Sequence, residues 1–167
     1  MRSLYFARER SRSDASEGGA SPSSAASDAS NRLPVHEVFY GFCHEVAQDL
    51  GGGHSESTYE HALLRLLYNE NIPALRQVQW LCRTKNGDVL PAGIVDLEIA
   101  HEMIVELKIG SKIRQEHIQQ LNRYLRAAAG MGSPVKRGAV VCFTSSDNSD
   151  SCSVLIHQSE LEGDVDG

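Results

Sequence analysis

The chain has 167 residues, a net charge of −6, 41% hydrophobic residues and 23% charged residues, which predicts about one globular domain. No apolar run approaches the roughly 18 residues of a membrane span, and the first residues contain no apolar segment typical of a secretory signal. The four cysteines are scattered and form no C-x-x-C pair. We therefore expect an intracellular protein, cytoplasmic or nuclear, with reduced cysteines and no membrane partner.

The two ends of the chain differ in composition from the middle. Residues 11–31 consist mostly of Ser, Ala, Asp and Gly, and such a segment buries too little apolar surface to offset its ordering entropy. We predict a disordered tail over residues 1–32 and a second, acidic disordered tail over residues 159–167. The folded domain is predicted to span residues 33–158.

Two amphipathic helices open the predicted domain. Apolar residues recur at helical spacing over residues 34–50, Pro34 suits the first turn, and the glycine triplet that follows ends the helix. Ser55 is a candidate N-cap for a second helix that runs to about Asn71. The buried stripe of this second helix is predicted to consist of Tyr59, Leu63, Leu66 and Leu67.

The middle of the chain has the two-residue periodicity and the turn signals of β-structure. Residues 75–83 are predicted to form a strand, and the Asn-Gly pair that follows it is a strong signal for a two-residue hairpin. A second strand is predicted over residues 88–99, where Pro91 implies an edge or a bulge. A third strand is predicted over residues 102–109.

A third helix and two more strands complete the predicted fold. The helix is expected over residues 112–129 and is closed by Gly130, and the strands are expected over residues 138–143 and 152–157. The element order is α-α-β-β-β-α-β-β. This order predicts an α/β domain with a mixed central sheet flanked by helices.

Charged residues on the second and third strands form a candidate catalytic site. The second strand has one apolar face, predicted to comprise Val95, Leu97 and Ile99. By the two-residue period, Asp96 points away from that face, and Glu106 and Lys108 point away from the apolar face of the third strand. If the two strands pair as a hairpin, both carboxylates project from the same face of the sheet.

Two carboxylates and a lysine suit the hydrolysis of a phosphodiester. Mg²⁺ prefers oxygen ligands, so Asp96 and Glu106 are candidate ligands for an ion that lowers the pKa of bound water and neutralises charge on the phosphate. Lys108 is a candidate to orient the attacking water and to stabilise the transition state. The alternative is an ordinary surface hairpin with a Glu–Lys pair, because an E-x-K pattern alone is weakly specific.

Four motifs follow one another on the predicted elements. Residues 53–59 fit G-x-x-E-x-x-Y at the start of the second helix, Val95-Asp96 and Ile104–Lys108 lie on strands, and residues 120–124 fit Q-x-x-x-Y on the third helix. This succession resembles the GxxExxY family, a branch of the PD-(D/E)XK nuclease superfamily, over about residues 34–157. The resemblance implies a restriction-endonuclease-like fold and the use of Mg²⁺, with Mn²⁺ as a substitute.

The resemblance also implies roles for the residues that match its motifs. Asp96 and Glu106 correspond to the metal-binding pair and act in catalysis together with Lys108, the catalytic lysine. Glu56 corresponds to a helix-borne acid that completes or supports the metal site. The alternative for Glu56 is compensation of the helix dipole at an N-terminus.

Residues of the third helix are expected to face the substrate. By the same resemblance, Gln120 belongs to the catalytic group, and Gln120 and Tyr124 form a helical pair that either buttresses the site or contacts the nucleic-acid backbone. The alternative is a pair of i, i+4 neighbours without a function. Residues 101–137 hold seven Lys and Arg against three acids, so Lys112 and Arg123 are further candidates for nucleic-acid binding.

These features predict a metal-dependent nuclease that hydrolyses phosphodiester bonds, with DNA favoured over RNA as the substrate. Asp96, Glu106 and Lys108 are all present, which favours an enzyme. The acidic net charge and the small size favour the alternative, a catalytically inactive module of the same fold that binds nucleic acid or a protein partner. A small domain is also compatible with a larger complex or a homodimer.

Overall fold

The computed structural model describes residues 33–145 and 151–161, and its helices and strands follow the predicted order. The elements are α1 (Val35–Leu50), α2 (Glu56–Asn69), β1 (Ala74–Arg83), β2 (Val89–Ile99), β3 (Met103–Ile109), α3 (Gln115–Gly130), β4 (Arg137–Ser145) and β5 (Cys152–Glu160). The chain divides into two units, Met1–Arg32 and Leu33–Gly167, and all described residues belong to the second. The predicted tail over residues 1–32 lies outside them and stays a prediction.

The five strands form a mixed sheet in the order β1-β2-β3-β4-β5. Neighbouring strands run antiparallel except β3 and β4, which are parallel over seven residue pairs from Met103–Arg137 to Ile109–Phe143. Parallel neighbours need a crossover connection, and α3 provides it by packing on one face of the sheet. The predicted α/β architecture, a mixed sheet flanked by helices, is therefore confirmed.

The helix ends lie within three residues of the predicted positions: α2 ends at Asn69 instead of about Asn71, and α3 includes Gly130, the residue predicted to close it, and is capped by Met131. The hydroxyl of Ser55 accepts a hydrogen bond from the backbone N–H of Thr58 over 3.3 Å and caps α2 as predicted. The third helix begins at Gln115 instead of residue 112, because residues 110–114 form the connection from β3. Within the described ranges, no helix has the length and apolar character required to cross a bilayer.

The last strand is longer than predicted. The sequence predicts a strand over residues 152–157. In the structure β5 reaches Glu160, because all of its residues pair with β4. Strand structure therefore continues past residue 158, where the predicted domain ends. Of the predicted acidic tail, residues 162–167 lie outside the described part of the chain.

The two faces of the sheet carry separate cores. Helices α1 and α2 pack on one face, where Phe39, Tyr59 and Leu97 are buried, and α3 packs on the other, where Trp80 and Tyr124 are buried. The ring of Tyr59 is 1% exposed and stacks on a phenylalanine of β4 at 4.1 Å between centroids. The tyrosine of the G-x-x-E-x-x-Y motif is therefore a packing residue.

Strand β2 separates from β3 soon after the turn that joins them. The two strands pair only over Leu97–Ile99 with Met103–Val105, and the rest of β2 pairs with β1 alone. Val95 packs against the α3 core, whereas Leu97 packs on the opposite face, so the predicted shared face of Val95, Leu97 and Ile99 is wrong at Val95. The alternation breaks opposite Gln77, which has a left-handed φ of 51° and forms no strand pair, although the register is the same on either side of it.

A β-bulge in β2 brings the strand against α3. Trp80 pairs with Gly93 and the next residue of β1 pairs with Pro91, so Ala92 is the extra residue, and the bulge implied by Pro91 is confirmed. Gly93 has a φ of 143°. A Cβ atom at this position would lie 2.5 Å from the hydroxyl oxygen of Tyr124, so the glycine allows the tyrosine ring to pack directly on the strand.

We therefore predict that Gly93→Ala lowers the free energy of unfolding by about 1–3 kcal/mol, because the new methyl group must displace the Tyr124 ring and β2 must hold a strained φ. Urea denaturation followed by circular dichroism measures the loss. Gly110→Ala is the matched control, since Gly110 has a φ of 154° but a Cβ atom added to it would meet no atom within 4 Å. Equal losses in both variants would show that backbone strain alone, and not the ring, sets the cost.

Candidate active site

The candidate active site lies where β2 separates from β3. Beyond that point the backbone N–H groups on the β2 side of β3 have no partner strand. The N–H of Leu107 donates to Oδ2 of Asp96 over 2.7 Å, and the N–H of Ile109 donates to Oε1 of Glu56 over 3.2 Å. Both groups point to the same side of the strand, since they are two residues apart. Carboxylates from β2 and α2 therefore take the place of a neighbouring strand along this edge of β3.

Glu106 is the buried acid of the site, with 3% of its surface exposed. Its Oε1 accepts hydrogen bonds from Nζ of Lys108 over 2.8 Å and from Nε2 of Gln120 over 2.7 Å. Its Oε2 is buried and has no hydrogen-bond partner among the described residues. Burial has the largest effect on the pKa of Glu106 and raises it, and the negative charge of Asp96 raises it further. Lys108 and Gln120 lower this pKa, but the net shift is upward.

Lys108 provides the positive charge of the site. Burial by itself lowers the pKa of Lys108, but the hydrogen bond to Glu106 and the negative charges of Glu106, Asp96 and Glu56 outweigh it and raise the pKa above its ordinary value. The lysine is therefore protonated at neutral pH. Lys108 bonds Glu106, and Asp96 and Glu56 bond the backbone N–H groups of the residues on either side of Lys108, so the structure brings these four predicted residues together.

Helix α3 holds Glu106 through a chain of hydrogen bonds. Nε2 of Gln120 lies 3.3 Å from the Tyr124 hydroxyl oxygen, and that hydroxyl donates to the carbonyl oxygen of Ile94 over 3.0 Å. Tyr124 is only 4% exposed, which is inconsistent with its predicted contact to nucleic acid. Its ring packs against Gly93, which leaves the buttressing role that the resemblance also implied.

The two basic candidates for nucleic-acid binding lie on the surface. Lys112 is exposed in the connection between β3 and α3. Arg123 is exposed on α3 and lines a groove together with Arg83 and Arg126. Neither Lys112 nor Arg123 forms an ion pair within the described ranges, so both are available to an external anion.

Residues that the sequence did not single out hold Asp96 in place. The amide Nε2 of Gln77 donates to Oδ1 of Asp96 over 3.2 Å and to Oε2 of Glu60 over 2.8 Å. Glu60 is 4% exposed and forms an ion pair with Arg76. No local pattern indicates this network, because its members lie on α2, β1 and β2 and meet only through the tertiary fold.

His117 is a further side chain near the site. Burial, and then the positive charge of Lys108, lower the pKa of His117, so its imidazole is neutral at neutral pH. It lies three residues before Gln120 on α3, and residues at this spacing share one face of a helix. The three-residue spacing of His117 and Gln120 is therefore the sequence signal that could have identified His117.

The residues present fit a divalent cation held by two carboxylates. Glu106 has one buried oxygen without a hydrogen-bond partner among the described residues, and the negative charge of Asp96 raises the pKa of Glu106. Mg²⁺ is usually held by one or two carboxylates together with waters and substrate phosphates. In the described ranges no three His, Cys, Asp or Glu residues are close enough to bind one ion. Glu56 accepts a hydrogen bond from the N–H of Ile109, and its role as an acid that completes or supports the metal site stays a prediction.

Fold and site together are those of a nuclease-type α/β domain. A family model described as the PD-(D/E)XK nuclease superfamily matches residues 34–152, which is more than half of the chain. The chain therefore belongs to the PD-(D/E)XK nuclease superfamily, whose members are typically hydrolytic nucleases that use divalent metal ions and act on nucleic acid. The match does not establish the narrower GxxExxY family that the motifs predicted.

The chain is also similar to SSO0001, whose crystal structure is known. The two are 21% identical with a TM-score of 0.41, and the similarity covers 64% of this chain and 50% of that chain. The chain thus spans about half the length of the solved structure that it matches. No curated protein sequence matches the chain.

The raised pKa of Glu106 predicts how the metal-free protein responds to pH. Between the ordinary pKa of 4.5 and the raised folded value, the folded state keeps a proton that the unfolded state has lost, so this group's contribution to stability falls as pH rises. We predict that Glu106→Gln unfolds at a higher urea concentration than the wild type at pH 7 in EDTA. The advantage should shrink as the pH is lowered toward 4.

Asp88→Asn is the control for this measurement, because Asp88 is an exposed carboxylate in the β1–β2 turn. Its stability difference from the wild type should change little over the same pH range. A Glu106→Gln advantage that grows toward low pH would contradict the burial of a charged carboxylate at this position.

Proposed function

We propose that the protein is a metal-dependent nuclease that hydrolyses phosphodiester bonds in DNA inside the cell, with Asp96, Glu106 and Lys108 as its catalytic group. The observation that carries the proposal is the state of Glu106. A buried carboxylate with an unpartnered oxygen costs several kcal/mol unless something else occupies its free side. A cation between Glu106 and Asp96 relieves both the missing contact and the repulsion between the two acids.

Asp96 and Glu106 would hold Mg²⁺, for which Mn²⁺ is a suitable substitute because it also prefers carboxylate and water ligands. When bound, the metal supplies a more acidic water and neutralises charge on the phosphate oxygens. The protein prepares this arrangement without the ion, because the Leu107 N–H and Gln77 fix Asp96 while Lys108 and Gln120 fix Glu106.

Lys108 stabilises the negative charge that grows on the phosphate as the bond breaks. The ammonium group is already oriented by Glu106 at 2.8 Å, so little reorganisation is needed when the transition state forms. Gln120 uses one amide to hold the same Glu106 oxygen, which positions the acid and leaves Oε2 free. Glu56 fixes the edge of β3 through Ile109 and thereby the direction in which Lys108 leaves the strand.

The proposal is tested by incubating labelled single- and double-stranded DNA and RNA with the protein in Mg²⁺, Mn²⁺ or EDTA. We expect metal-dependent cleavage of DNA. Lys108→Ala should lower the single-turnover rate at saturating protein by about a hundredfold or more with little change in affinity. Asp96→Ala should abolish cleavage and keep binding, since it removes a negative charge that faces the phosphates.

Lys85→Ala is the matched control for Lys108→Ala, because Lys85 is exposed in the β1–β2 turn, and it should cleave at the wild-type rate. Cleavage that persists in EDTA, or a Lys108→Ala variant as fast as the wild type, would place the chemistry elsewhere. Binding of nucleic acid without cleavage under any metal would indicate an inactive module of the same fold.

Metal binding by itself is expected to stabilise the folded protein. Mg²⁺ should raise the melting temperature of the wild type, because the ion binds the folded state and relieves the repulsion between Asp96 and Glu106. The stabilisation reaches about 2.7 kcal/mol at a concentration a hundredfold above the dissociation constant. Differential scanning fluorimetry measures the shift.

The double variant Asp96→Asn and Glu106→Gln should melt at the same temperature with and without Mg²⁺, whereas Asp88→Asn should respond as the wild type does. A wild type whose melting temperature is unchanged at millimolar Mg²⁺ would contradict a metal site between the two acids.

A further inference from the structure

Three arginines converge on one groove outside the catalytic group. Arg83 at the end of β1 and Arg123 and Arg126 on α3 line a groove of about 400 Å³. The rest of its wall is small or apolar, with Pro91 and Ala92 from the bulged part of β2, and no acidic residue contributes to the lining. The groove therefore collects three positive charges in a protein whose net charge is −6.

None of the three arginines is neutralised by a carboxylate in the described ranges. Elsewhere in the fold Arg76, Arg114 and Arg137 each pair with a glutamate. Arg83 instead donates to the backbone carbonyl oxygen of Gly87 over 3.2 Å, and the ion pairs include neither of the two α3 arginines. Three like charges held together repel one another, and an anion in the groove removes that repulsion.

The groove continues the candidate active site along α3. Gln120, which binds Glu106, precedes Arg123 by three residues and Arg126 by six on the same helix. At 1.5 Å of rise per residue, the two arginines lie roughly 5 and 9 Å further along the axis. Successive phosphates of one DNA strand advance by about 3.4 Å along the duplex, so this offset along the axis of α3 corresponds to about one to three nucleotides.

We propose that this groove binds the sugar-phosphate backbone of the nucleic acid beside the scissile phosphodiester, with Arg83, Arg123 and Arg126 donating to phosphate oxygens. The guanidinium fork matches the phosphate group in geometry and donates two hydrogen bonds at once. The apolar wall suits the sugars between the phosphates. The proposal rests on the proposed function for the class of polymer, but it concerns binding and not cleavage.

The test is fluorescence anisotropy of labelled duplex DNA in EDTA, which separates binding from metal-dependent cutting. We expect the double variant Arg123→Gln and Arg126→Gln to bind at least tenfold more weakly than the wild type. Its plot of log affinity against log salt should also be shallower by about two, since each phosphate contact contributes about 0.9 to that slope. Arg123→Lys with Arg126→Lys should keep the slope and lose part of the affinity.

Arg65→Gln is the matched control, because Arg65 is exposed on α2, which packs on the opposite face of the sheet. Its affinity should stay within twofold of the wild type. A double variant with wild-type affinity and salt slope would overturn the groove proposal. An equal loss of affinity in Arg65→Gln would overturn it as well, because the effect would then come from net charge alone. If polyglutamate displaces DNA at equal charge concentration, the proposal that the groove binds nucleic acid is wrong, and an acidic protein is the better candidate.

Failure of the groove proposal and failure of the nuclease proposal give different results. If the double variant loses binding while the wild type cleaves nothing in Mg²⁺ or Mn²⁺, the groove stands and the nuclease proposal fails. If the wild type cleaves and the double variant binds and cleaves equally well, the groove fails and the nuclease proposal stands. A wild type that binds no nucleic acid would overturn the groove.

Discussion

The separation of β2 from β3 is the constraint on which the site depends. Three residue pairs join these strands, and beyond them Leu107 and Ile109 still carry N–H groups that need acceptors. A buried donor without a partner costs about 1–3 kcal/mol, and this applies to Leu107, which is buried, whereas Ile109 lies at the exposed end of β3. Asp96 and Glu56 meet this need, and the same hydrogen bonds fix two acids beside Lys108.

The two faces of the sheet contribute different parts of the machinery to this edge. Helix α2 brings Glu56 from the face that holds the larger core, and α3 brings Gln120 from the other face to Glu106. Tyr124 of the same helix packs against Gly93 and accepts a hydrogen bond from Gln120. The left-handed backbone of Gln77 turns its amide toward Asp96, and strained backbone of this kind is often found at functional sites.

The distribution of charge matters more than its sum for a protein that acts on a polyanion. The net charge of −6 alone disfavours nucleic acid. Within the described ranges, however, some acids pair with bases, as Glu60 does with Arg76, and others belong to the acidic group of the candidate active site. Arg83, Arg123 and Arg126 are left in one groove beside that group, so local placement creates an attractive face on an acidic chain.

The sequence by itself determined the order of the elements, their types and the identities of the catalytic candidates. Hydrophobic periodicity, the Ser55 cap and the Asn-Gly turn are local properties, and they are encoded by neighbouring residues. Only the tertiary structure decided that Val95 faces α3, that Tyr124 is buried, and that Gln77 holds Asp96. These depend on where β2 leaves β3 and on the bulge at Ala92, which arise from contacts between residues far apart in the chain.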